Sequence, residues 1–212
     1  MPFLSRHDAG QRLGRQLLKQ GVDVDVVVGL PRGGVVVAAE VAHVLERPLE
    51  VLVVRKIGHP MHREFAIGAL AEADVVLLDE QLIGLNQGAR TRLAEVLREE
   101  KQRLQQYRLK FHQGEQYDFR DRNVLLVDDG LATGSTMEAA AMSARKLGAN
   151  RIFVAVPVAS TSAMERLQAL AEDTFALIID PEFEAVGAYY AAFSQTTDEE
   201  VMELLKGEHV KR

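Results

Sequence analysis

VLLVDDGLATGST, residues 124–136, is the most informative segment of this 212-residue chain. The apolar run 124–127 is typical of a parallel strand that is buried on both faces. Asp128 and Asp129 follow directly, and open α/β sheets bind their ligands at the carboxyl ends of the strands. The stretch therefore predicts an α/β sheet with a ligand site at this strand end.

The loop 130–136 that follows the two acids has the composition of an anion site. Its glycines permit a tight turn, and the helix expected after it presents unpaired amides at its positive end. Thr133, Ser135 and Thr136 add hydroxyl donors. Because the two carboxylates would repel an anion, we expect them to face sugar hydroxyls or a divalent cation. The combination indicates a site for a sugar phosphate.

All 13 residues of this stretch resemble the phosphoribosyl-pyrophosphate (PRPP) binding motif of the type I phosphoribosyltransferases. The resemblance implies that Asp128 and Asp129 contact the ribose hydroxyls and hold Mg²⁺ through water. It also implies that the loop cradles the 5′-phosphate, through Ala132, Thr133, Gly134, Ser135 and Thr136. The 6-oxopurine enzymes of the family typically carry Asp where this chain has Ala132. In this respect the motif resembles that of the adenine and uracil enzymes.

A second anion site is predicted where the apolar strand 24–30 runs into Pro31, Arg32, Gly33 and Gly34. Arg32 offers a planar donor fork that suits a phosphate group, and the two glycines free the amides that follow. A helix is expected over 35–46. By resemblance this PRGG turn is the pyrophosphate loop of the family, and we expect a cis peptide between Pro31 and Arg32.

A third strand, predicted over 49–54, ends in Arg55 and Lys56, followed by a polar segment with Gly58 and Pro60. Such composition is typical of a mobile loop, and a cationic lid beside two anion sites would exclude water from the reacting sugar. The stretch also resembles the corresponding region of adenine phosphoribosyltransferases. Arg55 and Lys56 are therefore candidate pyrophosphate contacts.

Strands that alternate with helices predict an α/β fold: a doubly wound, mostly parallel sheet flanked by helices, as in the type I phosphoribosyltransferases. We interpret 1–212 as a single domain with a helical insertion over 80–122, which carries one long exposed helix, and a small hood or tail over 181–212. The other predicted elements are helices over 6–20, 137–147 and 162–171 and strands over 66–70, 75–78, 151–156 and 175–179.

The tail concentrates aromatic residues, and by resemblance it contributes to a hood over the base. Phe183 or Tyr189 could stack on a nucleobase, whereas aromatic clusters near a terminus also commonly anchor it to the core. Both interpretations remain open at this stage. Thr197 precedes a short acidic helix that it is placed to cap.

Composition limits the other function classes. The formal net charge of −6 provides no electrostatic footprint for nucleic acid, and without cysteine there is no disulfide, thiolate nucleophile or cysteine zinc site. No apolar run approaches the roughly 20 residues of a membrane span. We expect a cytoplasmic protein that binds PRPP and a nucleobase, with no nucleic-acid or membrane partner, and that forms a homo-oligomer, in particular a dimer.

The resemblance implies transfer of the 5-phosphoribosyl group of PRPP to a nitrogenous base, with Mg²⁺ as cofactor and pyrophosphate as the leaving group. Asp128, Asp129, Arg32 and Lys56 are the candidate catalytic residues. Two alternatives are a non-catalytic PRPP-binding regulatory protein and an interaction domain with a vestigial site. The second alternative is disfavoured because the acids and both cations are present.

Overall fold

The computed structural model describes residues 2–79, 87–112 and 118–209. Its helices are α1 Arg6–Lys19, α2 Gly33–Leu45, α3 Gln87–His112, α4 Ser135–Lys146, α5 Thr161–Leu167 and α6 Asp198–His209. Its strands are β1 Val26–Gly29, β2 Leu49–Val51, β3 Val54–His59, β4 His62–Ala71, β5 Val75–Leu78, β6 Asn123–Val127, β7 Arg151–Ser160 and β8 Asp173–Asp180. A short 3-10 helix spans Val186–Tyr189.

The larger sheet has five strands in the order β2-β1-β6-β7-β8, and every pair in it is parallel. Side chains of β6 alternate between two buried clusters: Val124 and Leu126 pack on the side of α4 and α5, whereas Leu125 and Val127 pack on the side of α1 and α2. Helices thus cover both faces. The predicted α/β fold, doubly wound around a mostly parallel sheet, is confirmed.

The pairing of β1 with β6 brings the two predicted anion loops together. Gly29 lies opposite Val127 in the parallel register, so the two strands end side by side. Because both strands end at the same edge of the sheet, the PRGG turn after β1 and the acidic loop after β6 lie at the same end of the fold.

The segment after Arg55, predicted as an irregular loop, is instead a β-hairpin. Strands β3 and β4 pair antiparallel, with Lys56 opposite Ala69, and β5 completes a second, three-stranded sheet. The expectation of a loop was wrong because the Gly, Pro and His residues mark only a bulge and a turn. A Cβ at Gly58 would lie 2.2 Å from the carbonyl oxygen of Arg63, so glycine permits the close pairing there.

The long helix α3 lies in the predicted insertion, of which residues 80–86 and 113–117 are outside the described part of the chain. The helix was expected to be exposed, yet one side of it is packed. Leu93, Val96, Leu104 and Phe111 are all buried in the cluster that also contains α1 and α2. The near-helical spacing of its apolar residues thus marked a packed face.

The tail runs back over the start of the chain. Phe3 forms a parallel bridge with Tyr190, and their rings are 5.4 Å apart. The predicted cap of the acidic helix is confirmed, because the hydroxyl of Thr197 accepts a hydrogen bond of 3.1 Å from the amide of Glu200. Within the described residues, no helix is both long enough and apolar enough to cross a membrane.

Candidate active site

A cavity of about 370 Å³ lies at the carboxyl ends of β1 and β6. It is lined by residues of the acidic loop, the end of β1, the start of β3 and the tail; of the PRGG turn, only Pro31 lines it, whereas Arg32, Gly33 and Gly34 do not. Its lining is Leu30, Pro31, Val54, Arg55, Lys56, Asp128, Asp129, Gly130, Leu131, Ala132, Thr133, Gly134, Thr136 and Val186. The acidic loop and the start of β3 therefore line one common space.

The loop 130–136 presents the amino end of α4 to this cavity. Gly134 is the N-cap residue, with a φ of +76°, and it has no side chain to cap the helix. The first amides of α4 are thus left to an incoming acceptor. Leu131 fixes the loop to β7: its amide donates to the carbonyl of Val158 and its carbonyl accepts from the amide of Ser160, both at 2.9 Å.

The hydroxyls of the loop lie close together. Thr133 Oγ1 and Ser135 Oγ are 3.2 Å apart. Behind the loop, the hydroxyl of Ser160 donates to the carbonyl oxygen of Ala132 at 2.6 Å and also caps α5. The loop is therefore braced from its outer side, while its amides and hydroxyls are positioned around the start of α4.

The two adjacent carboxylates occupy different environments. Both line the cavity, and Asp128 Oδ1 accepts a hydrogen bond of 2.8 Å from the amide of Asp129. Burial raises the pKa of Asp128 well above its usual range, and the charge of Asp129 raises it further; Lys56 and Arg6 act in the opposite direction. Asp129 instead forms an ion pair with Arg6, 2.7 Å from Oδ2 to Nε.

The PRGG turn packs directly against these acids. The peptide between Pro31 and Arg32 is cis, as expected. A Cβ at Gly33 would lie 2.1 Å from Asp129 Oδ2, and one at Gly34 would lie 2.6 Å from Asp128 Oδ1. The two glycines therefore allow the turn to approach the strand end at a distance that no other residue permits.

The side chain of Arg32 points toward the last helix. Its Nη1 lies 3.7 Å from Asp198 Oδ1, and Lys110 binds the other oxygen of the same carboxylate at 2.7 Å. Asp198 therefore connects the PRGG turn with α3 and α6. Sequence reasoning did not identify this residue.

Arg55 and Lys56 both line the cavity from β3. Arg55 is held by Glu100 of α3 at 2.9 Å and lies over the ring of Tyr107. Lys56 is exposed, and its charge lowers the pKa of Asp128. Of the two cations, Lys56 is the one whose charge acts on Asp128, whereas Arg55 is engaged by the helix.

This arrangement agrees with the comparison with known families. A family model described as the phosphoribosyl transferase domain matches residues 5–192. The chain belongs to the phosphoribosyltransferase family. Its acidic loop, PRGG turn and cationic strand all lie within the matched residues.

Several relatives extend the comparison. The protein named "Putative phosphoribosyl transferase Rv0571c" of Mycobacterium tuberculosis H37Rv is 38% identical over 208 residues, which cover 98% of this chain and 47% of that protein. The chain thus spans about half the length of this curated relative. The crystal structure of TT1426 from Thermus thermophilus is 41% identical, with a TM-score of 0.76 over 98% of this chain and 99% of that one. Escherichia coli amidophosphoribosyltransferase is 25% identical over 155 residues, 72% of this chain and 24% of that protein.

The aromatic residues of the tail stack on each other. The rings of Phe183 and Tyr189 are 5.4 Å apart and 21° from parallel. The hydroxyl of Tyr189 donates to Asp180, which raises the pKa of Tyr189 to about 12. Val186, which lies between them in sequence, is the tail residue that lines the cavity.

Three further residues around the site carried no recognisable signal in the sequence. Arg6 reaches Asp129 from a position 123 residues earlier, and the hydroxyl of Tyr190 donates to the carbonyl oxygen of Asp129 at 2.6 Å. Burial raises the pKa of Tyr190, and the charge of Asp129 adds to that effect. Val186 is the third. Each is placed by long-range packing, which no local pattern records.

Proposed function

We propose that this protein transfers the 5-phosphoribosyl group of PRPP to a nitrogenous base and releases pyrophosphate. The observation that carries the proposal is the single cavity on which the acidic loop, the amino end of α4 and Lys56 all converge. Each of these groups suits a different part of PRPP. Membership of the family supports a PRPP-using transferase in general.

The geometry suggests a place for each part of the substrate. The 5′-phosphate would accept hydrogen bonds from the amides of loop 132–136 and from the hydroxyls of Thr133, Ser135 and Thr136. The ribose hydroxyls would donate to Asp128. The pyrophosphate would lie beside the PRGG turn and Lys56, whose charge can neutralise it. Arg32 and Arg55 would add to this by exchanging their present partners, Asp198 and Glu100, for the pyrophosphate.

No covalent enzyme nucleophile is needed for this reaction. The bond from the anomeric carbon to the pyrophosphate oxygen breaks as the base nitrogen forms the new bond, and positive charge develops on the sugar ring. The chain's contribution would be to hold the reacting groups in line and to stabilise the departing pyrophosphate. Lys56 is the residue best placed for the second task, because it is exposed at the cavity edge.

The donor chemistry of the site fits Mg²⁺, the usual partner of PRPP. Within residues 2–79, 87–112 and 118–209, no group of three or more His, Cys, Asp or Glu side chains could hold a metal ion. Mg²⁺ bound beside phosphates keeps several waters and takes only one or two carboxylates from the protein. Asp128, with Asp129 beside it, would contact such an ion through water. When bound, the ion would neutralise charge on the pyrophosphate.

The acceptor base would lie against the apolar part of the cavity. Leu30, Leu131 and Val186 contribute to this wall, and Ala132 leaves it without the carboxylate that its family position carries in the 6-oxopurine enzymes. Phe183 and Tyr189 remain candidate base contacts. Because they pack on each other in the cluster that also contains Val186, they would also support the wall from behind.

Val186→Ala tests the proposed base wall. We expect the KM for the acceptor to rise about fivefold, because roughly two methylene equivalents of contact with a flat ring are removed at ~0.8 kcal/mol each, partly offset by relaxation. The Kd for PRPP should stay within twofold. Steady-state kinetics with each substrate varied in turn would show this split. An equal change for both substrates would place Val186 outside the base site.

The proposed function is tested first by binding. At 100 times its Kd, PRPP with Mg²⁺ should stabilise the protein by about 2.7 kcal/mol, which raises Tm by roughly 5–10 °C for a domain of this size. The variant with Asp128→Asn and Asp129→Asn provides the control and should lose most of this shift. Equal protection of the variant would contradict the role given to the acids.

Turnover is tested with a panel of acceptors. Adenine, guanine, hypoxanthine, xanthine, uracil and orotate would each be incubated with PRPP and Mg²⁺, and pyrophosphate release would be followed. We expect adenine or uracil to be preferred over hypoxanthine and guanine, in line with Ala132. PRPP protection without turnover of any base would favour the non-catalytic regulatory protein. The absence of both would refute the proposal.

A further inference from the structure

Arg6, the first residue of α1, lies at a junction of four parts of the site. Its Nε binds Asp129 Oδ2 at 2.7 Å, and its Nη1 donates to the carbonyl oxygen of Ser194 at 2.7 Å. Its guanidinium lies 3.8 Å above the centre of the Phe193 ring. The side chains of Arg6 and Asp129 are only 11% and 16% exposed, so the pair is largely withdrawn from solvent.

The ion pair of Arg6 and Asp129 lies directly against the PRGG turn. A Cβ at Gly33 would lie 2.1 Å from Asp129 Oδ2 and 2.7 Å from Arg6 Nε. On the other side of Asp129, the hydroxyl of Tyr190 binds its carbonyl oxygen at 2.6 Å. Asp129 is thus bonded to the N-terminal helix and the tail and lies against the turn. Both acids line the cavity, but it is Asp129 whose Oδ2 is paired with Arg6.

We propose that Arg6 is a positioning residue that holds Asp129 as an anchor for the PRGG turn and the tail, and so leaves Asp128 as the carboxylate that meets the ribose. This inference rests on the proposed function and makes the two acids of the motif unequal. A buried carboxylate whose cation is removed is strongly destabilised, and it must then seek water or another donor. Without Arg6, the side chain of Asp129 is therefore expected to move toward the turn or the cavity.

Arg6→Gln is the variant that tests the inference. If Arg6 orders the site before PRPP enters, its loss should raise the KM and Kd for PRPP by about 10- to 100-fold, the range expected for a hydrogen bond to a charged group. The kcat at saturating PRPP should fall by no more than about threefold, because bound substrate restores the order. A merely structural role would instead reduce the active fraction, which lowers kcat and leaves KM unchanged.

Arg12→Gln is the control for loss of a cation from α1, because Arg12 does not contact the acids of the motif and its side chain is 45% exposed. It lies on the same helix, pairs with Asp8 at 3.7 Å and stacks over an aromatic ring of the tail junction, that of Phe3, at 4.9 Å. Its substitution should change the KM for PRPP by less than twofold. Arg6→Lys keeps the charge and should recover most of the affinity, even if Arg6→Gln folds poorly.

A double-mutant cycle identifies the partner through which Arg6 acts. If that partner is Asp129, then Arg6→Gln combined with Asp129→Asn should raise the KM for PRPP no more than the larger single substitution does. Additive effects, or an Arg6→Gln variant that matches Arg12→Gln, would overturn the inference while wild-type PRPP binding still supports the function. A wild-type protein that does not bind PRPP would overturn both.

Discussion

Asp128→Asn is expected to reduce PRPP-dependent turnover by roughly 100-fold or more and, in the same protein, to raise the stability of the ligand-free form. The loss follows because a charged acceptor for the ribose hydroxyls is replaced by a neutral amide, at about 1.5–3 kcal/mol for each hydrogen bond. The substitution is close to isosteric and keeps an oxygen for the amide of Asp129. Kinetics at saturating acceptor, with PRPP varied, measure the loss.

The gain in stability follows from the raised pKa of Asp128. Burial and the adjacent charge of Asp129 make the ionised form costly in the folded protein. A pKa that is higher in the folded than in the unfolded chain contributes stability below the ordinary value of about 3.9, and this contribution is lost as pH rises through the folded-state pKa. At pH 7 the asparagine variant should therefore unfold about 2–4 °C higher, for a gain of about 1 kcal/mol.

The pH dependence provides the check on this account. The difference in Tm between Asp128→Asn and the wild type should be small near pH 4 and should grow toward pH 8. Asp23→Asn, at a carboxylate that is 86% exposed, is the control and should show no such growth. Addition of PRPP should reverse the order of the two proteins. A difference in Tm that is constant with pH would contradict the assignment to a buried charge.

Gly34→Ala is expected to have the second large effect, on both folding and PRPP binding. The new Cβ would lie 2.8 Å from the Cα of Asp128 and 3.0 Å from the carbonyl oxygen of Val127. These are backbone atoms at the end of β6, which is paired on both sides in the sheet and cannot move alone. Overpacking of this kind costs about 1–3 kcal/mol, so Tm should fall by roughly 2–12 °C.

The displaced turn should also weaken PRPP binding by at least tenfold, because amides that bind an anion act only when they are held in position. Gly207→Ala is the matched control: a Cβ there meets nothing within 4 Å, and the residue lies in α6. That substitution should be neutral or stabilise by about 0.5–1 kcal/mol. Calorimetric unfolding of both variants would measure the change in Tm, and PRPP titration would measure the change in Kd. A Gly34→Ala variant with unchanged Tm and unchanged PRPP affinity would show that the turn does not pack closely against the two acids.

The sequence predicted the parallel core well because the signals there are local and agree with each other. The strand before Asp128 is continuously apolar, its loop has the glycines and hydroxyls of an anion site, and a helix follows at once. The same agreement of strand, turn and helix surrounds the PRGG turn. Parallel strands then place both loops at one edge, so convergence of the two predicted anion sites followed from the fold class.

The predicted strand over 66–70 lies within β4, but β3 beyond Arg55 and the first part of β4 were not predicted, for a physical reason. Strands β3 and β4 are stabilised by pairing with each other and by packing of Ile57 and Ile67 into the core. Neither strand shows a strong alternation by itself, and Gly58 with Pro60 gave a local loop signal. β-propensity reports such tertiary context more than intrinsic preference, so the local signal was overruled.

The doubly wound α/β fold and the resemblance of VLLVDDGLATGST to the motif of the phosphoribosyltransferase family could both be recognised in the amino-acid sequence. Short-range chemistry sufficed for that, since each element is specified within about a dozen residues. The difference between the two acids, in contrast, became visible only in the three-dimensional packing. Both line the cavity, but Asp129 is paired with Arg6, 123 residues away. Ion pairs across such separations depend on packing, and the order of residues does not record them.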